Sequence, residues 1–87
     1  MRFDVRLSRS ADRYVERVPR DVQRRVVARL DQIADDPFGP HTKPLAGPGN
    51  RRAARVGALR IVFTVDRDRR IVDVSDIGPR GQVYRGL

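Results

Sequence analysis

Arg55 and Arg60 stand on either side of the short run Val56-Gly57-Ala58-Leu59. Gly57-Ala58 reads as a tight turn, so the two arginines flank a hairpin and their guanidinium groups converge on one anion. Further along, Arg80 and Tyr84 are four residues apart, which one helical turn would place on the same side. Together these three arginines and one phenol form a reasonable phosphate site. Arg51, Arg52 and Lys43 are additional candidates for contacts to RNA phosphate. The chemistry such a set permits is RNA cleavage by attack of a 2′-OH on the neighbouring phosphate. That route needs a proton acceptor, a stabiliser for the added negative charge and help for the departing 5′ oxygen. Arginine serves the second need. Tyr84 is a candidate acid or base, although a phenol is a poor base until nearby cations assist it. No metal or other cofactor is required. Spacing alone leaves a second reading open and slightly favours it: solvated arginines, with Tyr84 packing the C-terminus on a sheet.

The elements that must position these residues are legible as patterns. Residues 2–7 alternate with Phe3, Val5 and Leu7 on one face, a first strand. Ser8 is placed to cap a helix whose stripe is Ala11, Tyr14, Val15 and Val18. Pro19 ends that helix and starts the next, from about Arg20 to Ala34, with Val22, Val26, Val27, Leu30 and Ile33 as its apolar face. Tyr14 belongs to the core or its edge. Asp35-Asp36-Pro37 closes the second helix. The stretch to about Asn50 is too rich in proline and glycine for regular structure, and Leu45 pins it to the core. A second strand is expected over 51–56, a third over 59–65 and a fourth over 70–77, broken by Gly78-Pro79. In the third, Ile61, Phe63 and Val65 face one way and Arg60, Val62 and Thr64 the other. The fold class is therefore α+β, β-α-α-β-β-β. A two-helix hairpin packs on one face of a four-stranded, mostly antiparallel sheet, and the arginines populate the other, open face.

Length and composition bound the rest. A chain of 87 residues is one domain, residues 1–87. It has no cysteine, so neither disulfides nor thiolate metal sites contribute. One histidine, His41, excludes a two-histidine metal or acid–base pair; as a loop residue it is more often merely solvated. No window approaches the roughly 18 apolar residues of a membrane span, and the N-terminus lacks the apolar core of a signal peptide. A cytoplasmic protein with no membrane partner is the expectation. Net charge is +8, and Lys43 is the only lysine among 19 basic residues. So cationic a chain suits nucleic acid, the ribosome or an acidic protein as partner.

At these residues the sequence resembles a known family. The run Arg55-Val56-Gly57-Ala58-Leu59-Arg60-Ile61-Val62-Phe63 is similar to the RVGDYRIVY core of the RelE/ParE superfamily of type II toxin–antitoxin toxins. The ending Ile77-Gly78-Pro79-Arg80-Gly81-Gln82-Val83-Tyr84-Arg85 resembles its IGHRREVYR ending, and Lys43-Pro44-Leu45-Ala46-Gly47 its KPLKG loop. The junction Arg17-Val18-Pro19 resembles the KLP between its first two helices. The likeness spans nearly the whole chain, in the family's order.

The resemblance implies a RelE-like fold and a toxin held inactive by a cognate antitoxin in a hetero-oligomer. In the RelE branch it implies cleavage of mRNA in the ribosomal A site; in the ParE branch, poisoning of DNA gyrase. By motif position it places the catalytic roles on Arg60, Arg80 and Tyr84, with Arg55 as a phosphate contact. The chain departs from the pattern where Ala53 replaces a second basic residue, where Pro79 replaces a histidine, and where Leu59 replaces the tyrosine before Arg60. The leading expectation is a metal-independent, ribosome-dependent endoribonuclease. A non-enzymatic gyrase inhibitor and a degenerate, antitoxin-binding member are the alternatives. The +8 charge suits an antitoxin whose C-terminal segment is acidic or amphipathic and lies across the basic face.

Overall fold

In a computed structural model, which describes residues 2–79, the two expected helices pack on a five-stranded sheet. Strand β1 (Asp4–Leu7) leads into α1 (Arg9–Arg17) and α2 (Arg20–Asp35), followed by β2 (Thr42–Pro44), β3 (Arg52–Val56), β4 (Leu59–Asp66) and β5 (Ile71–Pro79). The sheet order is β1-β5-β4-β3-β2. Only the β1–β5 pair is parallel, and the chain between its two strands runs through both helices and then β2, β3 and β4.

Local chemistry sets the helix ends. The Ser8 hydroxyl accepts from the Ala11 amide at 3.1 Å, which caps α1, and donates to the Ser75 carbonyl at 2.7 Å, which ties the cap to β5. Pro19 occupies the cap position of α2 without a side-chain hydrogen bond, and its fixed φ redirects the chain between the helices. Arg2 bridges the start of β1 to α2 through Asp31 at 2.9 Å and Asp35 at 2.7 Å. Those two carboxylates, Asp31 first, raise the Arg2 pKa above its ordinary value.

The core forms where the helices meet the sheet. Ala11, Val26 and Ile33 come down onto Ala54, Val56, Ile61, Phe63, Val72, Val74 and Ile77. Phe63 is fully buried and is the largest side chain at the centre. Tyr14 packs at the edge, as expected from the stripe. Between Val62 and Phe63 the β4–β5 register shifts, and Ser75 is the extra residue of the bulge. The shift lets Val74 and Ile77 both face the helices although they are three residues apart.

Four expectations are corrected. The sheet has five strands, not four, because Thr42–Pro44 pairs antiparallel with Arg52–Ala54 within the stretch expected to be irregular. Three residues are too few to show a period, and Pro44 is tolerated because β2 is an edge strand. Strand β5 is not broken at Gly78 but runs to Pro79. Its β1 partner ends at Val74, so Pro79 lies where only β4 flanks the strand and a missing N–H interrupts no ladder on the other side. Val27 is not core but 49% exposed. It lies about 100° round the helix from Val26, outside the arc of Val26, Leu30 and Ile33 that faces the sheet. Finally, the far face of the sheet is not open throughout. Ala53 and Val62 are opposite one another there and nearly buried, short side chains flanked across the sheet by the longer Lys43 and Asp76.

Candidate functional site

The β3–β4 hairpin positions the first pair of arginines. Gly57 has φ +57° and Ala58 does not share a positive φ, the pattern of a two-residue turn opening on glycine. An added Cβ at Gly57 would lie 2.6 Å from a guanidinium nitrogen of Arg25, so α2 closes directly over the turn. Val56 and Leu59 are the closing pair, and one rung inside them Arg55 and Arg60 face each other. In an antiparallel pair this places both side chains on the same face. It is the face away from the helices, since Ala54 and Ile61, the next residues in each strand, enter the core. Gly78 is opposite Arg60 on β5 and offers no side chain there.

Strand β2 completes the arrangement. Lys43 pairs with Ala53 and so joins the same face. His41, just before β2, comes to the edge of this cluster. Together Pro40, His41, Lys43, Pro44, Leu45, Ala53, Ala54, Arg55 and Arg60 line a pocket of about 190 Å³. Among the described residues the charged groups that line it are cations, with no carboxylate, so the pocket suits an anion. The small Ala53 side chain gives the pocket floor, where a long basic residue would fill it.

The approach of β2 depends on Thr42. Its side chain is buried, and Oγ1 lies 3.0 Å from the Pro37 carbonyl and 3.1 Å from that of Gly39. It also accepts from Arg52 Nη2 at 2.8 Å. Arg52 Nε donates to the Pro37 carbonyl at 3.2 Å, and the guanidinium lies 5.1 Å from the centroid of Phe38. One buried hydroxyl and one arginine therefore hold the chain from Pro37 to Thr42 in place. That backbone carries His41.

The structure brings Arg55, Arg60 and Lys43 together. It does not bring Arg51 and Arg52 to them. Those two line a larger, open hollow of about 790 Å³ at the other end of β3, with Phe38, Leu45, Asp66, Arg67 and Asp68. Arg52 there serves the loop, as its hydrogen bonds show. Arg80 and Tyr84 lie outside the described residues. Among the described residues no group of three or more histidine, aspartate or glutamate side chains is arranged to hold a metal. No helix among them is long and apolar enough to cross a membrane. His41, expected to be merely solvated, lines this pocket. Its position two residues before Lys43 was the available signal, but only a β2 strand makes that spacing meaningful.

With this geometry in place, the chain can be compared with known proteins. Residues 5–84 match the sequence model of a family described as the ParE toxin of the type II toxin–antitoxin system parDE. A comparison with curated proteins finds no match. Among solved structures, the fold is similar to a chain of the RelBE2 toxin–antitoxin complex from Mycobacterium tuberculosis. The TM-score is 0.80 and the identity 22%, over 92% of this chain and 100% of that one. The archaeal RelE–RelB complex from Pyrococcus horikoshii gives a TM-score of 0.80 at 22% identity, over 94% of this chain and 99% of the other. The isolated E. coli RelE toxin gives 0.78 at 19% identity, over 94% and 90%. At such identities the likeness is one of fold.

Proposed function

The chain belongs to the ParE toxin family of type II toxin–antitoxin systems, and on that premise we propose that it arrests translation by cleaving mRNA on the ribosome. The observation that carries this reading is the cation-lined pocket in which Arg55, Arg60 and Lys43 converge with no carboxylate among them. A scissile phosphate bound there gains negative charge as the 2′ oxygen attacks. Arg60, deepest in the sheet of the three, stabilises that charge, and Arg55 and Lys43 hold the flanking backbone. By motif position, the roles left for the C-terminal residues are a further anion contact for Arg80 and a proton donor to the leaving 5′ oxygen for Tyr84. The partner is a cognate antitoxin whose acidic or amphipathic segment covers this cationic face and so excludes RNA from it.

The test is expression of the protein alone and as Arg60→Ala, Arg80→Ala and Tyr84→Phe, with mRNA ends mapped on stalled ribosomes. New 5′ ends within the ribosomal A site, lost in the variants along with growth arrest, are the expected result. Intact mRNA beside undiminished growth arrest refutes the reading. A second reading, non-enzymatic inhibition of DNA gyrase, is favoured by one observation: Ala53 occupies the position where the resemblance calls for a second basic residue. Loss of supercoiling in a reaction containing purified gyrase and this protein would support it.

A further inference from the structure

We propose that His41 is the proton acceptor of the cleavage reaction, an inference that rests on the mRNA-cleavage reading above. The reaction requires two proton movements, one from the 2′-OH and one to the 5′ oxygen. Guanidinium groups stay protonated near neutrality and perform neither. The pocket at Arg55 and Arg60 lacks a basic side chain on its floor, because position 53 is alanine. Among the described lining residues, His41 carries an imidazole, whose ring nitrogen can accept a hydrogen bond and a proton from a hydroxyl. It is exposed, so it reaches a substrate without rearrangement of the core, while the next residue, Thr42, is buried and bonded to Pro37, Gly39 and Arg52. The imidazole is thus mounted on a fixed point rather than on a free loop.

The charged groups that line the pocket with it are Lys43 from β2, Arg55 from β3 and Arg60 from β4, and no carboxylate is among the described lining residues. In the step itself, an imidazole nitrogen takes the 2′-OH proton as the O2′–P bond forms. The P–O5′ bond breaks, and the departing oxygen takes a proton from water. The products are a 2′,3′-cyclic phosphate and a 5′-OH end, and the imidazolium returns its proton to solvent.

The experiment measures single-turnover cleavage of a defined mRNA on programmed ribosomes from about pH 5.5 to 9 for wild type, His41→Ala and His41→Gln. Circular dichroism melts of each protein accompany the rates. General-base catalysis is worth about 10²–10⁴-fold, so both variants should lose at least about 100-fold in rate with unchanged melting. The dependence of the wild-type rate on pH should change with them, and added imidazole should restore part of the activity of His41→Ala. A wild-type rate and pH profile in His41→Ala overturns the proposal while leaving mRNA cleavage intact. A slow variant that keeps the wild-type pH profile and ignores imidazole also overturns it, assigning His41 a structural role. Wild-type protein that leaves mRNA whole overturns the functional reading itself, and this proposal with it.

Discussion

Replacing Thr42 with valine tests whether a single hydroxyl holds the pocket-forming strand against the sheet. Valine has nearly the same shape, so packing changes little and the polar contacts are isolated. Oγ1 donates one proton, shared between the Pro37 and Gly39 carbonyls at 3.0 and 3.1 Å, and accepts from Arg52 at 2.8 Å. A neutral bond contributes about 0.5–1.5 kcal/mol and one to a charged group about 1.5–3 kcal/mol. The second figure must be reduced, because Arg52 is half-buried and keeps the Pro37 carbonyl through Nε. The expected loss is about 2 kcal/mol, which for a domain of this size lowers Tm by about 8–16 °C. Urea denaturation followed by circular dichroism measures it. Thr42→Ser is the matched control, since it keeps the hydroxyl and loses one methyl group, about 1 kcal/mol. Valine also suits a strand better than serine, so the order serine above valine is a demanding one. A double-mutant cycle with Arg52→Leu should return a coupling of at least about 0.5 kcal/mol. Thr42→Val as stable as wild type, or more stable than Thr42→Ser, refutes the account of how β2 is held.

Phe63→Ala should cost about 3–5 kcal/mol, because the ring is fully buried at the centre of the core; that is a large part of the margin of a domain this small, and urea melts should find little folded protein at 37 °C. Ser8→Ala should cost about 1–2 kcal/mol through loss of both the α1 cap and the bond to the Ser75 carbonyl. Ser8→Asp should recover the cap alone, and equal urea midpoints for the two variants would contradict the cap. Gly57→Ala should cost about 1 kcal/mol for a positive φ at a residue with a Cβ, plus displacement of Arg25. Adding Arg25→Ala should restore only the second part, as read from the shift in Tm; a stabilised Gly57→Ala would show that the turn is not as described.

The alternation of Ile61, Phe63 and Val65, the stripe of Ala11, Tyr14 and Val15, and the cap at Ser8 all report strong local preferences. Each survives in the structure because burial and capping reward the pattern the residues already carry. The pairing of Arg55 with Arg60 was legible for the same reason. A two-residue turn fixes register, and register fixes which side chains share a face. Val27 was misread because its neighbours Val26 and Leu30 make the helix stripe look wider than the arc that the sheet covers.

The sequence by itself determined the cationic α+β class, the helical hairpin, the β3–β4 turn and the family, since these rest on periodicity, turn chemistry and motifs close together in the chain. Only the tertiary structure decided that Thr42–Pro44 is a strand, that Arg52 anchors a loop far from Arg55, and that His41 lines the same pocket as Arg60. These depend on residues distant in sequence: Thr42 pairs with Ala54, Arg52 bonds to Pro37, and His41 lines the pocket that Arg60 also lines. A three-residue edge strand has too little pattern of its own to announce itself. It exists because the neighbouring strand offers its backbone groups and one buried hydroxyl finds its partners.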